Sequence, residues 1–415
     1  MSNSGKRVVI TGVSVVSPLG NNLEEAFNRL KTYKNCVEYD KSLENYKNLY
    51  TRLSSRVHGF IMPENFTRKV LRTMGKVSVF AVSSAQDALI DAGLIQDDKI
   101  NPIIQSGETG VCYGSCSGSM DALMDFYSLY SKKEIGNLNS GSYIKMMPQT
   151  TAVNISLFFK THGRLVTTST ACTSGSMAIG NGYELIKYGL QKVIIAGGAE
   201  EFDISQVGVF DTLYATSTKN DSPELSPAPF DKNRDGLVVG EGAGTLILEE
   251  YEHAKARGAK IYAEIVGFST NTDGTHITNP NRETMAAVID GAIKSAKISK
   301  KDVGYVNAHG TGTKNGDIAE SFATNEVLGK NPLISTIKSY TGHTLGACGA
   351  IEAILSIEMM NNNWFCPNLN LKEIDPDCAP LNYIQNEGKV LETEFIVSNN
   401  FAFGGVNTSL VFKRV

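Results

Sequence analysis

The segment TTSTACTSGSMAIG, residues 167–180, carries the clearest structural signal in the chain. Its first four residues favour a strand, and the small residues between Ala171 and Gly175 interrupt that strand. From Met177 onward, apolar residues recur at helical spacing. The segment therefore predicts a buried strand that turns sharply into a helix, with Cys172 at the start of the helix. Strand-to-helix units of this kind indicate a layered α/β protein.

A second segment later in the chain repeats this pattern. Residues 338–349 read KSYTGHTLGACG, again with small residues between a strand and a helix. Two further pairs of segments are alike, residues 8–15 with 262–269 and residues 194–198 with 396–405. Self-similarity in the same order along the chain indicates an internal duplication. The predicted fold is therefore α/β and built from two divergent copies of one unit.

The two copies are predicted to divide the chain near its middle. Residues 1–255 form a first half that carries Cys172 and most of the insertions, and residues 256–415 form a second half. No change of composition and no Gly/Ser linker separates them, which favours one pseudo-symmetric body over two mobile domains. Six buried strands are predicted, at residues 8–11, 109–113, 193–196, 261–266, 303–307 and 395–398.

The bulk composition excludes several classes of protein. With 415 residues, of which 41% are hydrophobic, the chain can bury a large core. Its formal net charge of -4 argues against nucleic-acid binding, which usually needs a strongly basic face. No apolar run of about 18 residues offers a membrane span. The seven cysteines are odd in number and dispersed, which predicts free thiols in the cytoplasm and no metal site.

Cys172 is the candidate nucleophile. At a helix N-terminus, unpaired N–H groups and the helix dipole favour the thiolate, so we expect the pKa of this thiol to be lowered. Small neighbours at Ala171, Ser174 and Gly175 let a substrate reach the sulfur. The same N–H groups can stabilise a thioester oxyanion. The alternative is that Cys172 is a small buried hydrophobic residue, which the segment alone does not exclude.

Two histidines lie in loops that suit catalysis. Residues 307–317 read NAHGTGTKNGD, which places His309 at the end of a strand, where α/β proteins usually form their sites. His343 lies in the second copy's counterpart of the Cys172 turn, so the pseudo-symmetry should bring both turns together. A nucleophile with two hydrogen-bond donors can hold an acyl group and stabilise an enolate. Loss of carbon dioxide from a malonyl thioester requires this combination.

Four ordered motifs resemble those of the elongating β-ketoacyl carrier-protein synthases. They are TACTSG around Cys172, NAHGTGT around His309, KSYTGH ending at His343, and NNFAFGGVN at residues 399–407. The likeness extends nearly end to end and includes KRVVITGVSVVSPLG near the start. It implies a thiolase-like fold, a duplicated αβαβα body of five layers that is usually dimeric.

The resemblance also implies roles for the central residues. Cys172 would accept the acyl chain, and the backbone N–H groups of Cys172 and Phe403 would form the oxyanion hole. His309 and His343 would polarise the malonyl thioester. Phe403 would act as a gate over the cysteine, although simple core packing is an alternative for this side chain.

Further residues are implied to support this centre. Lys338 resembles the lysine that holds the second histidine in place, and Glu352 resembles its network partner, with a surface salt bridge as the alternative. Thr311 and Thr313 resemble the hydroxyls that bind phosphopantetheine, although they could merely satisfy backbone groups of the loop. Asp317 is placed among the supporting residues.

The implied reaction joins a Cys-bound acyl chain to malonyl-[acyl-carrier-protein] and gives a 3-oxoacyl chain two carbons longer. No cofactor of the enzyme itself is implied, because the carrier protein brings the phosphopantetheine. The expected partners are the acyl carrier protein and a second subunit, in a homodimer or in a heterodimer with a related ketosynthase or chain-length factor. Carrier proteins are acidic, so the enzyme needs a basic docking site. The candidates by position are Arg68, Lys69, Arg72, Lys76, Lys132 and Lys133.

Two residues depart from the common pattern. Ala402 replaces the first glycine of the gate loop, and alanine disfavours positive φ, so the gate is expected to move differently. Ser117 stands where fatty-acid enzymes often place a bulky apolar residue at the end of the acyl pocket. These features look most like ketosynthases of aryl-polyene or related type II polyketide pathways, and fatty-acid elongation remains the alternative.

Other members of the superfamily fit less well. A degradative thiolase would carry a second catalytic cysteine near residues 399–405, and none is present. An initiating ketosynthase would have asparagine in place of His343. A chain-length factor usually lacks the nucleophile, whereas Cys172 is present. An S-x-x-K motif ends at Lys338, but the K-T-G partner of serine acyl-enzymes is missing.

Overall fold

A computed structural model of the chain describes residues 5–415. Its strands are β1 (Val8–Val16), β2 (Glu38–Tyr39), β3 (Leu53–Ser54), β4 (Ile95–Gln96), β5 (Lys99–Ile100), β6 (Thr109–Gly114), β7 (Leu165–Thr168), β8 (Val193–Glu200), β9 (Gly242–Glu250), β10 (Ala263–Thr272), β11 (Val303–Asn307), β12 (Leu333–Ser335), β13 (Trp364–Phe365), β14 (Asn382–Tyr383), β15 (Lys389–Val390), β16 (Phe395–Phe401) and β17 (Val406–Lys413). Its helices are α1 (Leu23–Leu30), α2 (Arg68–Leu71), α3 (Lys76–Asp91), α4 (Leu123–Lys132), α5 (Ser140–Met146), α6 (Thr150–Phe159), α7 (Ser174–Lys187), α8 (Ile204–Thr212), α9 (Tyr251–Ala256), α10 (Arg282–Ala296), α11 (Lys314–Leu328), α12 (Lys338–Thr341) and α13 (Cys348–Asn361).

One large sheet organises the molecule. Its strand order is β14-β12-β11-β16-β17-β10-β1-β9-β8-β6-β7, with β1 and β10 antiparallel neighbours at the junction of two halves. Outward from β1 the order is β9, β8, β6, β7, and outward from β10 it is β17, β16, β11, β12. Pairing directions also match, because the first two pairs in each half are antiparallel and the next two are parallel. The internal duplication is therefore visible strand by strand.

Helices complete five layers. α7 and α13 pack against each other, and each contacts strands of both halves of the sheet, so they form the central layer. α3 and α6 cover the outer face of the first half, and α10 and α11 cover that of the second half. α13 is apolar and buried on nearly all sides, as expected for a helix between the two halves of the sheet, which form the two β layers. This is the αβαβα arrangement predicted above.

Close packing of α7 against α13 brings the two sharp turns together. A Cβ atom on Gly175 would lie 3.0 Å from the carbonyl oxygen of Gly346, and one on Gly349 would lie 2.7 Å from the backbone nitrogen of Ser176. Any larger residue at either glycine would force the helix N-termini apart. The small residues of both motifs therefore position the site as well as shaping each turn.

The helices described between residues 5 and 415 include none that combines the length and the apolar character needed to cross a bilayer.

Candidate active site

Cys172 lies in a one-turn 3-10 helix, Ala171–Thr173, directly before α7. Ala171 adopts a φ of 50°, and Leu345 in the matching turn before α13 adopts 49°. Positive φ is uncommon for residues with a side chain, and it persists only where the surrounding structure enforces it. Both copies therefore bend the chain in the same way. The first copy displays a thiol on its turn.

His343 contacts the Cys172 sulfur directly. Its Nε2 atom lies 2.9 Å from Sγ, and its Nδ1 accepts the backbone N–H of Leu345 at 3.3 Å. Because Nδ1 acts as an acceptor, the ring hydrogen of the neutral imidazole is assigned to Nε2. Burial, together with the charge of Lys338, lowers the pKa of His343 well below its ordinary value. His343 is therefore a neutral ring that presents an N–H to the thiol.

His309 follows the end of β11, and its ring stands 5.2 Å from that of His343 at 86°. Its Nδ1 lies 3.1 Å from Nζ of Lys338 and 3.4 Å from Nδ2 of Asn400. Both neighbours can only donate, so Nδ1 accepts and the hydrogen is assigned to Nε2. Burial and then Lys338 lower the pKa of His309 well below its ordinary value. The site thus holds two neutral imidazoles, each with its hydrogen on Nε2.

Lys338 and Glu352 form an ion pair that is almost completely buried. Burial acts to lower the pKa of Lys338, but neighbouring acidic groups, including Glu352, raise it overall, so the ammonium form persists. The resemblance implied that this lysine holds the second histidine. That expectation is wrong, because Lys338 contacts His309 at Nδ1 while a backbone N–H holds His343.

The expected low pKa of Cys172 is also wrong. Burial of the sulfur raises the pKa of Cys172 above its ordinary value, and the backbone N–H of Phe403, the charge of Lys338 and the N–H of Cys172 itself only partly offset this. Burial outweighs the helix terminus, because desolvation penalises the thiolate strongly. Both N–H groups predicted to bind an oxyanion nevertheless act on the sulfur.

The donor atoms of Cys172, His309 and His343 lie within 4.8 Å of one another, close enough to surround a metal ion. A histidine binds a metal through a ring nitrogen without hydrogen. Here both Nδ1 atoms are occupied as acceptors and both Nε2 atoms carry hydrogen. The arrangement therefore suits an oxygen atom that accepts two N–H bonds better than it suits a metal ion.

A cavity of about 420 Å³ leads to this centre. Cys172, His309 and His343 line its inner end, and Thr311 and Thr313 line its wall, with their hydroxyl oxygens 2.9 Å apart. The remaining wall includes Phe210, Arg234, Met285, Phe401 and Phe403. The predicted nucleophile, histidines, loop threonines and gate thus share one cavity.

Asp317 acts on the loop rather than on the reacting atoms. Its carboxylate accepts the backbone N–H groups of Phe230 at 2.8 Å and Gly312 at 3.2 Å, and it pairs with Arg234 at 3.2 Å. Burial raises the pKa of Asp317 to about 6. The carboxylate therefore ties the Thr-rich loop to the segment that carries Arg234.

Glu320 was not found from the sequence. Its carboxylate accepts the backbone N–H groups of His309 and Gly310, each at 2.7 Å, and burial raises its pKa to about 8. A signal was available, because Glu320 lies one helical turn beyond Asp317 on α11 and therefore on the same face. Two buried carboxylates thus hold the loop that displays His309.

Phe403 packs edge-to-face on Phe210, with ring centroids 5.9 Å apart. Ala402 donates its N–H to Val406 and accepts that of Gly405, so the gate is a hydrogen-bonded turn. Positive φ occurs at Gly404 (89°) and Gly405 (76°), whereas Ala402 is absent from the non-glycine residues with positive φ. The two glycines therefore make the turn in this conformation without positive φ at Ala402. The different gate movement expected from Ala402 stays a prediction.

Comparison with known proteins agrees with this geometry. The family described as beta-ketoacyl synthase, N-terminal domain, matches residues 5–254, and the C-terminal domain of the same family matches residues 262–372. The 3-oxoacyl-[acyl-carrier-protein] synthase 2 of Vibrio harveyi is 35% identical over 422 aligned residues, which cover 99% of each chain. This chain belongs to the beta-ketoacyl synthase family.

Solved structures place this synthase among ketosynthases. A beta-ketoacyl synthase from Burkholderia phymatum STM815 is 53% identical, with a TM-score of 0.96 over 99% of this chain and 100% of that one. A type II polyketide ketosynthase solved with its acyl-carrier protein is 30% identical, with a TM-score of 0.88 over 99% of this chain and 100% of the other. The predicted thiolase-like α/β fold is confirmed.

Ser117 of the synthase lies in a polar cluster. It donates to Glu200 at 3.4 Å and accepts from Nε2 of Gln206 at 3.0 Å. Burial raises the pKa of Glu200 to about 7. Ser117 is not among the residues that line the Cys172 cavity, so the acyl pocket expected beside it is not open there. Glu200 and Gln206 could not be predicted as its partners, because neither lies in one of the motifs.

The docking candidates are all exposed on the synthase surface. Arg68 and Lys69 lie on α2, while Lys76 begins α3 and pairs with Glu241 at 2.6 Å. Arg72 follows α2, and Lys132 and Lys133 lie at the end of α4. Carrier docking remains a prediction for all six. Lys76 is less free to contact a carrier than its neighbours.

Proposed function

We propose that the synthase condenses a Cys172-bound acyl chain with malonyl-[acyl-carrier-protein] and releases carbon dioxide. The product is a 3-oxoacyl-[acyl-carrier-protein] two carbons longer. The observation that carries this proposal is the pair of neutral histidines, His309 and His343, with their hydrogens on Nε2 beside one buried thiol. An enolate oxygen needs such donors, and a nucleophile beside them supplies the acyl partner.

The first half-reaction moves the acyl group. The Cys172 sulfur attacks the thioester carbonyl of an acyl-carrier, the carbonyl oxygen gains negative charge, and the N–H groups of Cys172 and Phe403 stabilise it. The carbon–sulfur bond to the carrier then breaks. The thiol hydrogen of Cys172 ends on the departing carrier thiol. The enzyme now holds an acyl thioester.

The second half-reaction makes the new carbon–carbon bond. The bond between the malonyl carboxylate and its methylene carbon breaks, and its electron pair forms an enolate. The enolate oxygen accepts hydrogen bonds from the Nε2–H groups of His309 and His343. The enolate carbon attacks the acyl carbon on Cys172, and the thiolate leaves and takes a proton from solvent. Carbon dioxide and the longer carrier-bound chain are the products. Lys338 contributes a fixed positive charge behind His309.

The carrier protein brings the only prosthetic group that this proposal needs. Its phosphopantetheine arm would pass along the cavity wall, where the hydroxyls of Thr311 and Thr313 lie. The solved complex of a related ketosynthase with its acyl-carrier protein supports a carrier as the partner. All seven cysteines are free, which supports work in the reducing cytoplasm.

Intact-protein mass spectrometry tests the proposal. The enzyme is incubated with an acyl-carrier and malonyl-carrier, and both the carrier and the enzyme are weighed. We expect acyl transfer to the enzyme and a carrier-bound chain longer by two carbons. Cys172→Ser should yield neither, because a hydroxyl is a far poorer nucleophile than a thiol. Acylation of a different cysteine, or an unchanged malonyl-carrier, would contradict the proposal.

A polyene substrate is the finer proposal, with saturated fatty acyl chains as the alternative. A stiff conjugated chain cannot coil and needs a straight channel. Ser117 supports this proposal only by its small side chain at a position where fatty-acid enzymes often have a bulky apolar residue. Because the Cys172 cavity does not reach Ser117 in this conformation, the proposal requires the cavity to extend to Ser117 when a long chain binds. We expect polyenoyl-carriers to be elongated faster than saturated carriers of equal length. Ser117→Phe should shorten the longest product while a two-carbon primer is still elongated. Unchanged product length, or a preference for saturated chains, would favour fatty-acid elongation.

A second subunit completes the proposal, either an identical chain or a related ketosynthase. β7 is the last strand at one end of the sheet, and its Leu165 is 41% exposed. Leu157 on the neighbouring helix α6 is 63% exposed. An apolar edge strand is normally covered, because its free N–H and C=O groups pair readily with another chain. This edge is therefore the proposed subunit interface.

A further inference from the structure

Asn400 on β16 has no role in the mechanism above, yet its side chain is completely buried beside the histidine and the ion pair. We propose that Asn400 is a positioning residue, whose amide group fixes the His309 ring and the Glu352 carboxylate relative to Lys338. This inference rests on the proposed condensation. It adds a residue to which neither the motifs nor the comparisons assign a role.

The amide closes a ring of four groups. Nδ2 of Asn400 donates to Oε2 of Glu352 at 2.8 Å and lies 3.4 Å from Nδ1 of His309. Nζ of Lys338 contacts the same two partners, Nδ1 of His309 at 3.1 Å and Oε1 of Glu352. Lys338 and Asn400 are thus the donors, and His309 and Glu352 are the acceptors. Each acceptor loses one of its contacts if the amide is removed.

The orientation of the amide follows from its neighbours. If the group were flipped, its oxygen would lie 2.8 Å from the Glu352 carboxylate, and two acceptors would face each other. In the observed orientation Oδ1 has no hydrogen-bond partner among the described residues and lies against Gly349, where a Cβ atom would come within 2.8 Å of it. A buried amide oxygen without a partner costs free energy. The contacts of the NH₂ group with His309 and Glu352 offset this cost.

The backbone of Asn400 is paired within the sheet. It pairs with Thr408 across β16 and β17, and its carbonyl oxygen accepts the Thr408 hydroxyl at 3.4 Å. A strand in the middle of a sheet holds a side chain more precisely than a loop can. The strand therefore fixes the position of the Asn400 amide, and the amide in turn orients the His309 ring.

Glu352 is the member whose charge depends on this amide. The titratable groups that face it are Lys338 from α12, His309 after β11, Cys172 before α7, Tyr305 from β11 and Cys348 on its own helix. Burial raises the pKa of Glu352, and the hydrogen bonds from Lys338 and Asn400 act against that rise. Without the Asn400 donor the pKa of Glu352 rises further. Activity is then lost as the pH falls through this raised value.

The test compares pH profiles of malonyl-carrier decarboxylation between pH 6 and 9. Asn400→Leu removes both contacts at similar volume, and we expect a loss of about tenfold or more at pH 6 that shrinks towards pH 9. Transfer of an acyl group to Cys172 should stay within about twofold, because that step does not use His309. Asn400→Ser keeps one donor and should fall between the wild type and Asn400→Leu at pH 6.

Thr408→Val is the matched control. It removes a hydroxyl from the same strand pair, where Thr408 contacts Ser176 and the Asn400 backbone, but it leaves His309 and Glu352 untouched. Its pH profile should keep the wild-type shape. Equal losses at every pH in both Asn400→Leu and Thr408→Val would indicate general packing and would overturn the inference. So would a wild-type profile for Asn400→Ser if Asn400→Leu fails to fold.

A readout without turnover separates this inference from the proposed function. The ring-nitrogen NMR resonances of ¹⁵N-labelled His309 report the contacts at Nδ1 directly. We expect Asn400→Leu and Asn400→Ser to shift the Nδ1 resonance, and Thr408→Val to leave it in place. If the wild type does not decarboxylate malonyl-carrier, the proposed function fails, and the Nδ1 resonance still decides the role of Asn400. An unshifted resonance in both Asn400 variants would overturn it.

Discussion

His309 and His343 are both hydrogen-bond donors at Nε2, but different groups hold their Nδ1 atoms. A backbone N–H fixes His343, so substitutions at its supporting residue, Leu345, leave that donor in place unless they introduce proline. A lysine and an asparagine fix His309, so substitutions can weaken its orientation. His343 also contacts the sulfur, whereas His309 does not share that short contact. The two rings therefore differ in how sensitive they are to their surroundings.

This arrangement predicts that neither histidine can be replaced. His309→Ala and His343→Ala should each lower malonyl-carrier decarboxylation by about two orders of magnitude or more, as the loss of a preorganised oxyanion donor does. Release of carbon dioxide measures the rate. His162→Ala alters an exposed histidine and should match the wild type. A wild-type rate in either active-site variant would show that its ring does not stabilise the enolate.

The raised pKa of Cys172 predicts a pH-dependent thiol. Only the thiolate reacts with iodoacetamide, so alkylation of Cys172 should speed up about tenfold per pH unit from pH 7 to 9 without levelling off. Lys338→Met removes a charge that lowers this pKa, so its alkylation at pH 8 should be slower. Peptide mapping measures the modification. A rate that is already constant below pH 7.5 would mean that the helix terminus outweighs burial.

Among the elements, the strands show what the sequence can and cannot reveal. Each of the six predicted strands is present, because runs of β-branched residues are buried on both faces. β9 is not among the predicted strands, because glycines such as Gly242 and Gly244 disfavour a strand. A Cβ atom on Gly244 would lie 2.8 Å from the backbone nitrogen of Ile351, so α13 packs directly on the strand. These glycines meet a packing demand that only the folded neighbour reveals.

The same limit applies to the site. Cys172 and His309 could be predicted because each lies in a local turn whose small residues are themselves the signal. The role of Asn400 could not be predicted, although the residue lies in the motif NNFAFGGVN, because its partner Glu352 is 48 positions away in the sequence. Residues that act through distant partners leave no local pattern.

The short helix α2 carries the sharpest prediction about carrier binding. Arg68 and Lys69 are exposed, and the described chain offers neither of them an acidic partner within ion-pair distance. The double reversal Arg68→Glu with Lys69→Glu should raise the KM for malonyl-carrier about tenfold or more at low salt, and less at high salt. Activity on a malonyl-pantetheine mimic should stay unchanged.

A matched pair controls for the change in charge. Lys301 and Lys330 are exposed beside the opposite ends of β11 and β12 from His309. Their double reversal to glutamate should leave the KM for the carrier as it is. Equal losses for the carrier and the mimic in the α2 variant would point to a misfolded enzyme instead of a docking site.

For the molecule as a whole, the unpaired edge at β7 predicts association. The wild type should sediment at about twice its chain mass of 44.8 kDa, because a second subunit covers Leu157 and Leu165. Leu165→Lys combined with Leu157→Lys should sediment as a monomer. Val390→Lys, at a site that is 83% exposed on β15, should not alter the mass. A wild type that sediments as a monomer at micromolar concentration would contradict this interface.

The strand β17 follows every site residue in the chain, yet it lies between β16 and β10 inside the sheet. A ribosome therefore finishes Cys172, both histidines and Asn400 before it makes the strand that locks the second half of the sheet. Without β17 the sheet is interrupted between β16 and β10, so the strands that position His309 and Asn400 lose their pairing with the half that carries Cys172. A polypeptide that stops before β17 therefore carries Cys172, His309 and His343, and we expect it not to decarboxylate malonyl-carrier.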